Sequence, residues 1–177
     1  MPHRFRHHYA SPLGRLTLAS DGQALTGLWM EGQLHFPPRA EAWPLTPLPV
    51  FSQTAAWLDE YFQGHAPLAP LPPLAPEGTP FQQAVWQLLR QIPWGTTVTY
   101  GQLARQLAAR HHRPLPAAQA VGHAVGRNPL SLFIPCHRVV GARGQLTGYA
   151  GGLARKQWLL EHEGALMAGM TTVVPRP

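Results

Sequence analysis

The chain of 177 residues contains one cysteine, Cys136, and one lysine, Lys156. A single cysteine excludes a disulfide within the chain and a zinc site built from several cysteines, and it is typical of a reducing compartment. No apolar run approaches the roughly 20 residues of a membrane span, and the residues after Met1 do not resemble a secretion signal. We therefore expect a cytoplasmic protein with no membrane attachment.

Acidic residues are scarce in the second half of the chain. Through Thr79 the net charge is −2, whereas from Pro80 onward only Glu161 and Glu163 oppose the cations, and the net charge is +8. An arginine-rich half indicates a polyanionic partner, because the forked guanidinium matches phosphate. An equally weighted alternative is a solubilising surface in a protein whose genome favours arginine codons.

The first half has the pattern of a small α/β unit without a catalytic constellation. Apolar alternation predicts strands, helical spacing predicts a helix that Gly64 ends, and proline-rich stretches predict loops. The predicted elements are strands over 15–19 and 24–30 around a turn at Asp21-Gly22, a helix over 51–62, a loop over 36–49, and an edge strand or linker over 66–76.

The second half contains two capping boxes, in which Thr79 pairs with Gln82 and Thr99 pairs with Gln102. Each box predicts the start of a helix. A third helix is predicted over 117–125 after a basic loop over 109–115. This helix and the one that begins at the Thr99 box are both short, and together they suggest a helix-turn-helix. The third helix is rich in alanine and glycine, which suits close approach to a DNA groove; tight packing inside the domain is the alternative.

Cys136 lies between Pro135 and His137 in a mostly apolar run. A lone thiol among apolar residues is commonly an inert core residue. A free thiol, with a pKa of about 8.5, is mostly protonated at neutral pH, and a neighbouring imidazole can take its proton directly or through a water. Cys136 is therefore a candidate nucleophile, and a redox sensor or a cysteine hydrolase are distant alternatives, since no resolving thiol and no acyl pocket are identifiable.

The segment Ile134-Pro135-Cys136-His137-Arg138-Val139 resembles the active-site signature of the O6-alkylguanine-DNA alkyltransferases, the methylated-DNA–protein-cysteine methyltransferases. The resemblance extends over nearly the whole chain. Its further motifs are Ser11 to Gly14, Gly78 to Gln82, Val98 to Ala104, Ala120 to Gly122, Asn128-Pro129, Gly148-Tyr149, Gly151 to Leu153, Lys156 and Leu159 to Gly164.

The resemblance implies two domains and a function in DNA repair. An N-terminal ribonuclease-H-like α/β domain over 1–77 precedes a C-terminal winged-helix-like, helix-turn-helix DNA-binding domain over 78–177. Such proteins flip O6-alkylguanine out of duplex DNA and transfer the alkyl group irreversibly to their own cysteine. The expected partner is double-stranded DNA containing O6-alkylguanine, bound by a monomer that needs no cofactor and no metal.

The resemblance also implies roles for individual residues. Cys136 is the acceptor, His137 draws its proton through a water, and Glu163 orients the imidazole. A helix-end ion pair of Glu163 with Lys156 or Arg155 is the alternative reading of this carboxylate. The other implied site residues are Tyr100 and Asn128 in catalysis, Tyr100, Val139, Tyr149 and Ala150 around the base, and Gly101, Ala117, Ala118, Gln119, Gly122 and Arg127 on DNA.

Two positions depart from the family pattern. Gln119 stands where the family usually has the arginine that fills the space of the flipped base, so we expect weaker flipping or a different lesion preference. The loop over 109–115 is longer than the family's tight turn, and it either contacts phosphates or is a surface insertion. A non-catalytic lesion-binding relative is the second hypothesis, but such proteins replace the cysteine, typically with tryptophan.

Overall fold

The described chain, residues 4–166 of a computed structural model, divides into two compact units. One unit comprises residues 4–77 with 129–131, and the other comprises 78–128 with 132–166. Residues 129–131 thus belong to the first unit, although the predicted boundary places them in the second domain. As domain limits, 1–77 and 78–177 stay predictions, and their ends at 1–3 and 167–177 lie outside the described residues.

An antiparallel sheet of three strands forms the centre of the first unit, in the order β1-β2-β3. Asp21 makes the predicted turn, since its Oδ1 accepts hydrogen bonds from the backbone N–H groups of Gln23 and Ala24 at 2.9 and 2.8 Å. Single backbone bridges extend the sheet at Leu45 beside β1 and at Leu74 and Leu130 beside β3. The strands are β1 Phe5–Ser11, β2 Gly14–Ser20 and β3 Leu25–Met30.

Helix α1, Pro49–Phe62, packs against β1, where the His7 ring stacks on Phe51 at 5.5 Å between centroids. All six residues of β3 are buried, and the backbone bridges at Leu74 and Leu130 cover the edge of the strand that faces away from β2. β2 and β3 match the predicted strands. β1 was not predicted, because its adjacent histidines obscure the alternation of apolar and polar residues that identifies a half-buried strand.

The second unit is built from helices around a short parallel strand pair, β4 and β5. Its elements are α2 Pro80–Leu89, β4 Val98–Thr99, α3 Tyr100–His111, α4 Ala118–Gly126, a 3-10 turn Cys136–Arg138, β5 Val139–Val140 and α5 Leu153–His162. Helices α2, α3 and α4 contact one another and bury Val85, Leu103 and Val121 between them. Helix α4, the predicted recognition helix, buries Val121, Ala124 and Val125 and leaves its first residues exposed.

Both predicted capping boxes are present. The Thr79 hydroxyl accepts from Gln82 N, and the Gln82 side chain accepts from Thr79 N; Thr99 and Gln102 repeat this pattern at α3. The predicted loop over 109–115 begins too early, because α3 continues through His111. The helix ends where His112 takes a left-handed conformation, with φ of 49°.

Candidate active site and DNA-binding surface

Cys136 begins the 3-10 turn that joins Pro135 to β5, and it is 5% exposed. The turn places Cys136 and His137 on successive positions of one short, buried segment. Burial raises the pKa of the Cys136 thiol, and hydrogen bonding from Asn128 together with the nearby Lys156 ammonium opposes this effect. The thiol is therefore shielded from bulk solvent and depends on its neighbours to ionise.

The Asn128 side chain connects the end of α4 to the cysteine segment. Its Nδ2 donates to the Ile134 carbonyl at 2.6 Å and to Cys136 Sγ at 3.2 Å. Both contacts are buried, so the amide holds the sulfur in one place and stabilises its anionic form. A simple C-terminal turn residue would not need these two contacts.

His137 lies fully buried against Glu163, with Nε2 at 2.7 Å from Oε1. An ionised carboxylate can only accept, so Nε2 carries the hydrogen and Nδ1 is the basic nitrogen. Among the described residues, Nδ1 has no hydrogen-bond partner. Burial lowers the pKa of His137 more than Glu163 raises it, so the ring is neutral and able to take a proton at Nδ1.

Arg138 is the ion partner of Glu163, and the sequence analysis did not single it out. Its Nε donates to Oε2 at 2.8 Å and its Nη2 to Oε1 at 2.9 Å, while Nη1 donates to the Ile92 carbonyl at 2.6 Å. Burial alone would raise the pKa of Glu163, but the hydrogen bonds from His137 and Arg138 bring that pKa to about 2. The carboxylate that orients His137 therefore stays charged at neutral pH.

Lys156, the alternative partner for Glu163, instead donates to three backbone carbonyls. Its fully buried Nζ lies 2.5 Å from Val139 O, 3.0 Å from Thr147 O and 3.1 Å from Gly148 O. Burial lowers the pKa of Lys156 to about 8, whereas the nearby Cys136 favours the charged form. This lysine ties β5, at Val139, to the start of the glycine-rich loop 148–152. Its position in the family motif was the only signal for it in the sequence.

Tyr100, the first residue of α3, lies beside this loop, and its hydroxyl donates to Thr147 O at 3.3 Å. Burial raises the pKa of Tyr100, and nearness to Cys136 adds to that shift. Val139 begins β5 and is buried, whereas Tyr149 and Ala150 are half-buried in the loop. Tyr100 and Val139 are thus connected through Thr147 O and Lys156, close to the cysteine segment. Tyr149 and Ala150 lie on the adjoining loop.

The residues predicted to contact DNA lie at the starts of α3 and α4, on the open face of α4, or directly after α4. Gly101 is exposed in the first turn of α3, and Arg127 is exposed directly after α4. No side chain of residues 4–166 caps the start of α4, so its first backbone N–H groups remain available. Ala117, Ala118 and Gln119 are exposed at that start, and a Cβ on Gly122 would meet no atom within 4 Å.

A buried cysteine held by an amide and followed by a neutral histidine, in a unit with helix-turn-helix topology, fits the class of DNA-binding proteins that use a thiol as a nucleophile. Two family models agree with this class. The ribonuclease-like domain of 6-O-methylguanine DNA methyltransferase matches residues 5–76, and the DNA-binding domain of the same family matches residues 80–165. The chain belongs to the 6-O-methylguanine DNA methyltransferase family, and the predicted fold class and enzyme class are confirmed.

Individual members of this family are similar in sequence to most of the chain. The methylated-DNA–protein-cysteine methyltransferase of Haemophilus influenzae is 44% identical over 156 residues, which cover 88% of this chain and 84% of the relative. That of Mycobacterium leprae is 46% identical over 157 residues, covering 86% and 88%. The crystal structure of Mycobacterium tuberculosis OGT in complex with DNA superposes with a TM-score of 0.78 at 42% identity, covering 91% of this chain and 93% of that one.

Among the described residues, no helix is both long enough and apolar enough to cross a membrane.

Proposed function

We propose that this chain repairs duplex DNA by moving the alkyl group of O6-alkylguanine onto Cys136, once per molecule. The observation that carries the proposal is the arrangement of Cys136 beside a neutral His137 whose buried Nδ1 has no partner within residues 4–166. A basic nitrogen without a partner is costly to bury, and groups of this kind are concentrated at functional sites. Here it belongs to the residue that directly follows the cysteine whose thiol must lose its proton.

The reaction needs no group beyond the residues of the site, solvent and the damaged base. The thiol proton passes to His137 Nδ1, directly or through a water, and the Glu163 carboxylate stabilises the resulting imidazolium. The sulfur attacks the alkyl carbon, so an S–C bond forms as the C–O6 bond breaks and its electron pair enters the guanine ring. Tyr100 gives the ring a proton, and the tyrosinate regains one from His137 through solvent. The thioether product is stable, so the protein is consumed.

The start of β5 and the glycine-rich loop 148–152, both bound by Lys156, supply the walls for the base. Val139, Tyr149 and Ala150 are proposed to line the guanine site, with backbone groups near Cys136 and Val139 reading its edge. The three hydrogen bonds from Lys156 keep this backbone in place before the base arrives. Preorganisation of this kind lowers the entropic cost of aligning the alkyl carbon with the sulfur.

On the DNA side, we propose that the exposed start of α4 enters a groove and that the target nucleotide flips out, at a cost of a few kcal/mol. Gly101, Ala117, Ala118, Gly122 and Arg127 would contact the duplex, while Gln119 would hydrogen-bond the orphaned cytosine. Glutamine is shorter than arginine and carries no charge, so flipping would gain less stabilisation. Binding as a monomer also stays a prediction.

The decisive experiment measures the mass of the Cys136 peptide. The protein is incubated with a duplex containing O6-methylguanine and then digested. We expect one methyl increment on the peptide containing Cys136, and none with an undamaged duplex or with Cys136→Ala. Lesion-dependent binding without any increment would instead support a non-catalytic lesion-binding protein and would overturn the proposal.

A further inference from the structure

The carbonyl at the end of the recognition helix has an unusual partner. Ala124 lies in the last turn of α4. The last four carbonyls of a helix receive no hydrogen bond from an N–H group of the same helix. Trp86 of α2 fills this vacancy, because its indole Nε1 donates to Ala124 O at 2.8 Å. Both residues are only 2% exposed, so no bulk water could replace the indole.

The indole bond coincides with the point at which the chain leaves the helix. Continuing α4 would bring the Asn128 N–H to Ala124 O, but that N–H donates to Val125 O instead, at 3.3 Å. The shift tightens the last turn and ends the helix. Asn128 then stands where its side chain reaches both Ile134 O and Cys136 Sγ.

The Trp86 ring is itself held against the start of α2. A Cβ built on Gly78 would clash with Trp86 Cη2, so only glycine, directly before the Thr79 cap, leaves room for the ring. The ring is therefore fixed at one edge by Gly78 and at its N–H by Ala124. Because the ring is held in this way, its hydrogen bond also holds the backbone of Ala124 in the last turn of α4.

We infer that Trp86 is a positioning residue for Cys136: its indole N–H ends the recognition helix at the point from which Asn128 grips the sulfur. The inference rests on the proposed function in taking Cys136 as the nucleophile. It connects the helix proposed to enter DNA with the sulfur through a single buried side chain and a single amide. Nothing in this connection requires Trp86 to touch DNA or the damaged base.

The test replaces only the donor. Trp86→Phe keeps an aromatic ring but loses the N–H, and incorporation of benzothienylalanine at position 86 keeps even the shape. We expect methyl transfer from an O6-methylguanine duplex to slow by about tenfold at pH 7, equivalent to one hydrogen bond. We also expect the pH profile of Cys136 alkylation by iodoacetamide to move to higher pH, with lesion-duplex affinity retained. Trp29→Phe, a change of another buried tryptophan in the first unit, is the matched control.

Coupling to Asn128 separates positioning from general stability. If Trp86 acts through Asn128, the double variant Trp86→Phe/Asn128→Ala should react no more slowly than Asn128→Ala alone. Additive losses, an unchanged pH profile, or a parallel fall in DNA affinity and transfer would each overturn the inference. Absence of methyl transfer by the unaltered protein would count against the proposed function instead, and the iodoacetamide profiles would still test Trp86.

Discussion

Arg138 and Glu163 form a two-pronged, buried ion pair, with Nε to Oε2 at 2.8 Å and Nη2 to Oε1 at 2.9 Å. This geometry matches the planar guanidinium to the planar carboxylate, and it leaves Glu163 Oε1 still within reach of His137. Arg138 thus holds in place the carboxylate that orients His137, the proposed base.

Removing Arg138 should destabilise the fold strongly. In Arg138→Met the buried Glu163 carboxylate loses its guanidinium partner, and breaking one side of a buried pair costs about 3–5 kcal/mol. Urea denaturation monitored by circular dichroism measures this loss. Arg143→Met, at an exposed position, is the control and should change the free energy of unfolding by less than about 0.5 kcal/mol. Equal stability of the two variants would contradict the assigned role of the pair.

Acid should remove a contribution that Glu163 makes to stability. Its pKa is about 2 in the fold against 4.5 for the unperturbed group, so the unfolded chain binds the proton first as the pH falls. The stabilisation is complete above about pH 4.5 and disappears as the pH falls toward 2, by an amount on the order of 3 kcal/mol. We expect Glu163→Gln to lose less stability than the unaltered protein between pH 6 and pH 2.5. A parallel decline of both proteins would refute this account.

Lys156→Met should slow alkyl transfer more than it weakens DNA binding. The substitution leaves three carbonyls, of Val139, Thr147 and Gly148, without the ammonium that joins them. We expect faster hydrogen exchange over 147–152 together with a transfer rate reduced by about tenfold or more. Gln157→Met, on the exposed side of α5, should leave both measurements unchanged. Intact exchange protection in Lys156→Met would show that the loop does not depend on this lysine.

Gln119→Arg should tighten binding to a duplex containing O6-methylguanine. The exposed side chain lies in the first turn of α4, and an added guanidinium there gains phosphate and base contacts of about 1 kcal/mol, or roughly fivefold in affinity. Gln53→Arg adds the same charge on the exposed face of α1 and controls for net charge. Fluorescence anisotropy at matched salt gives both affinities. Equal or weaker binding by Gln119→Arg would count against the proposed place of Gln119 at the flipped base.

The sequence was sufficient wherever the determinants are local. The boxes at Thr79 and Thr99 are four-residue signals, and both helices begin where those signals predict. The family motif identified Asn128, whose two contacts fit its implied role. The family and its methyltransferase function, also predicted from that motif, are confirmed by the matching relatives.

Residues whose partners are distant in sequence could not be found in this way. Arg138 lies 25 residues from Glu163, and Trp86 lies 38 residues from Ala124. Neither pairing has a sequence signature, because the fold alone brings the groups together. The end of α3 was missed for a local reason: nothing in the run around His112 signals the left-handed residue that stops the helix.

The solitary thiol has a practical consequence for measurement. Because Cys136 is the only cysteine in the chain, each completed reaction removes the only free thiol of that molecule. The sulfur is buried in the fold, so a thiol reagent added with denaturant would report the unreacted molecules alone. On the proposed chemistry, the number of thiols lost equals the number of lesions repaired. A thiol count on the protein therefore measures the repaired DNA damage directly.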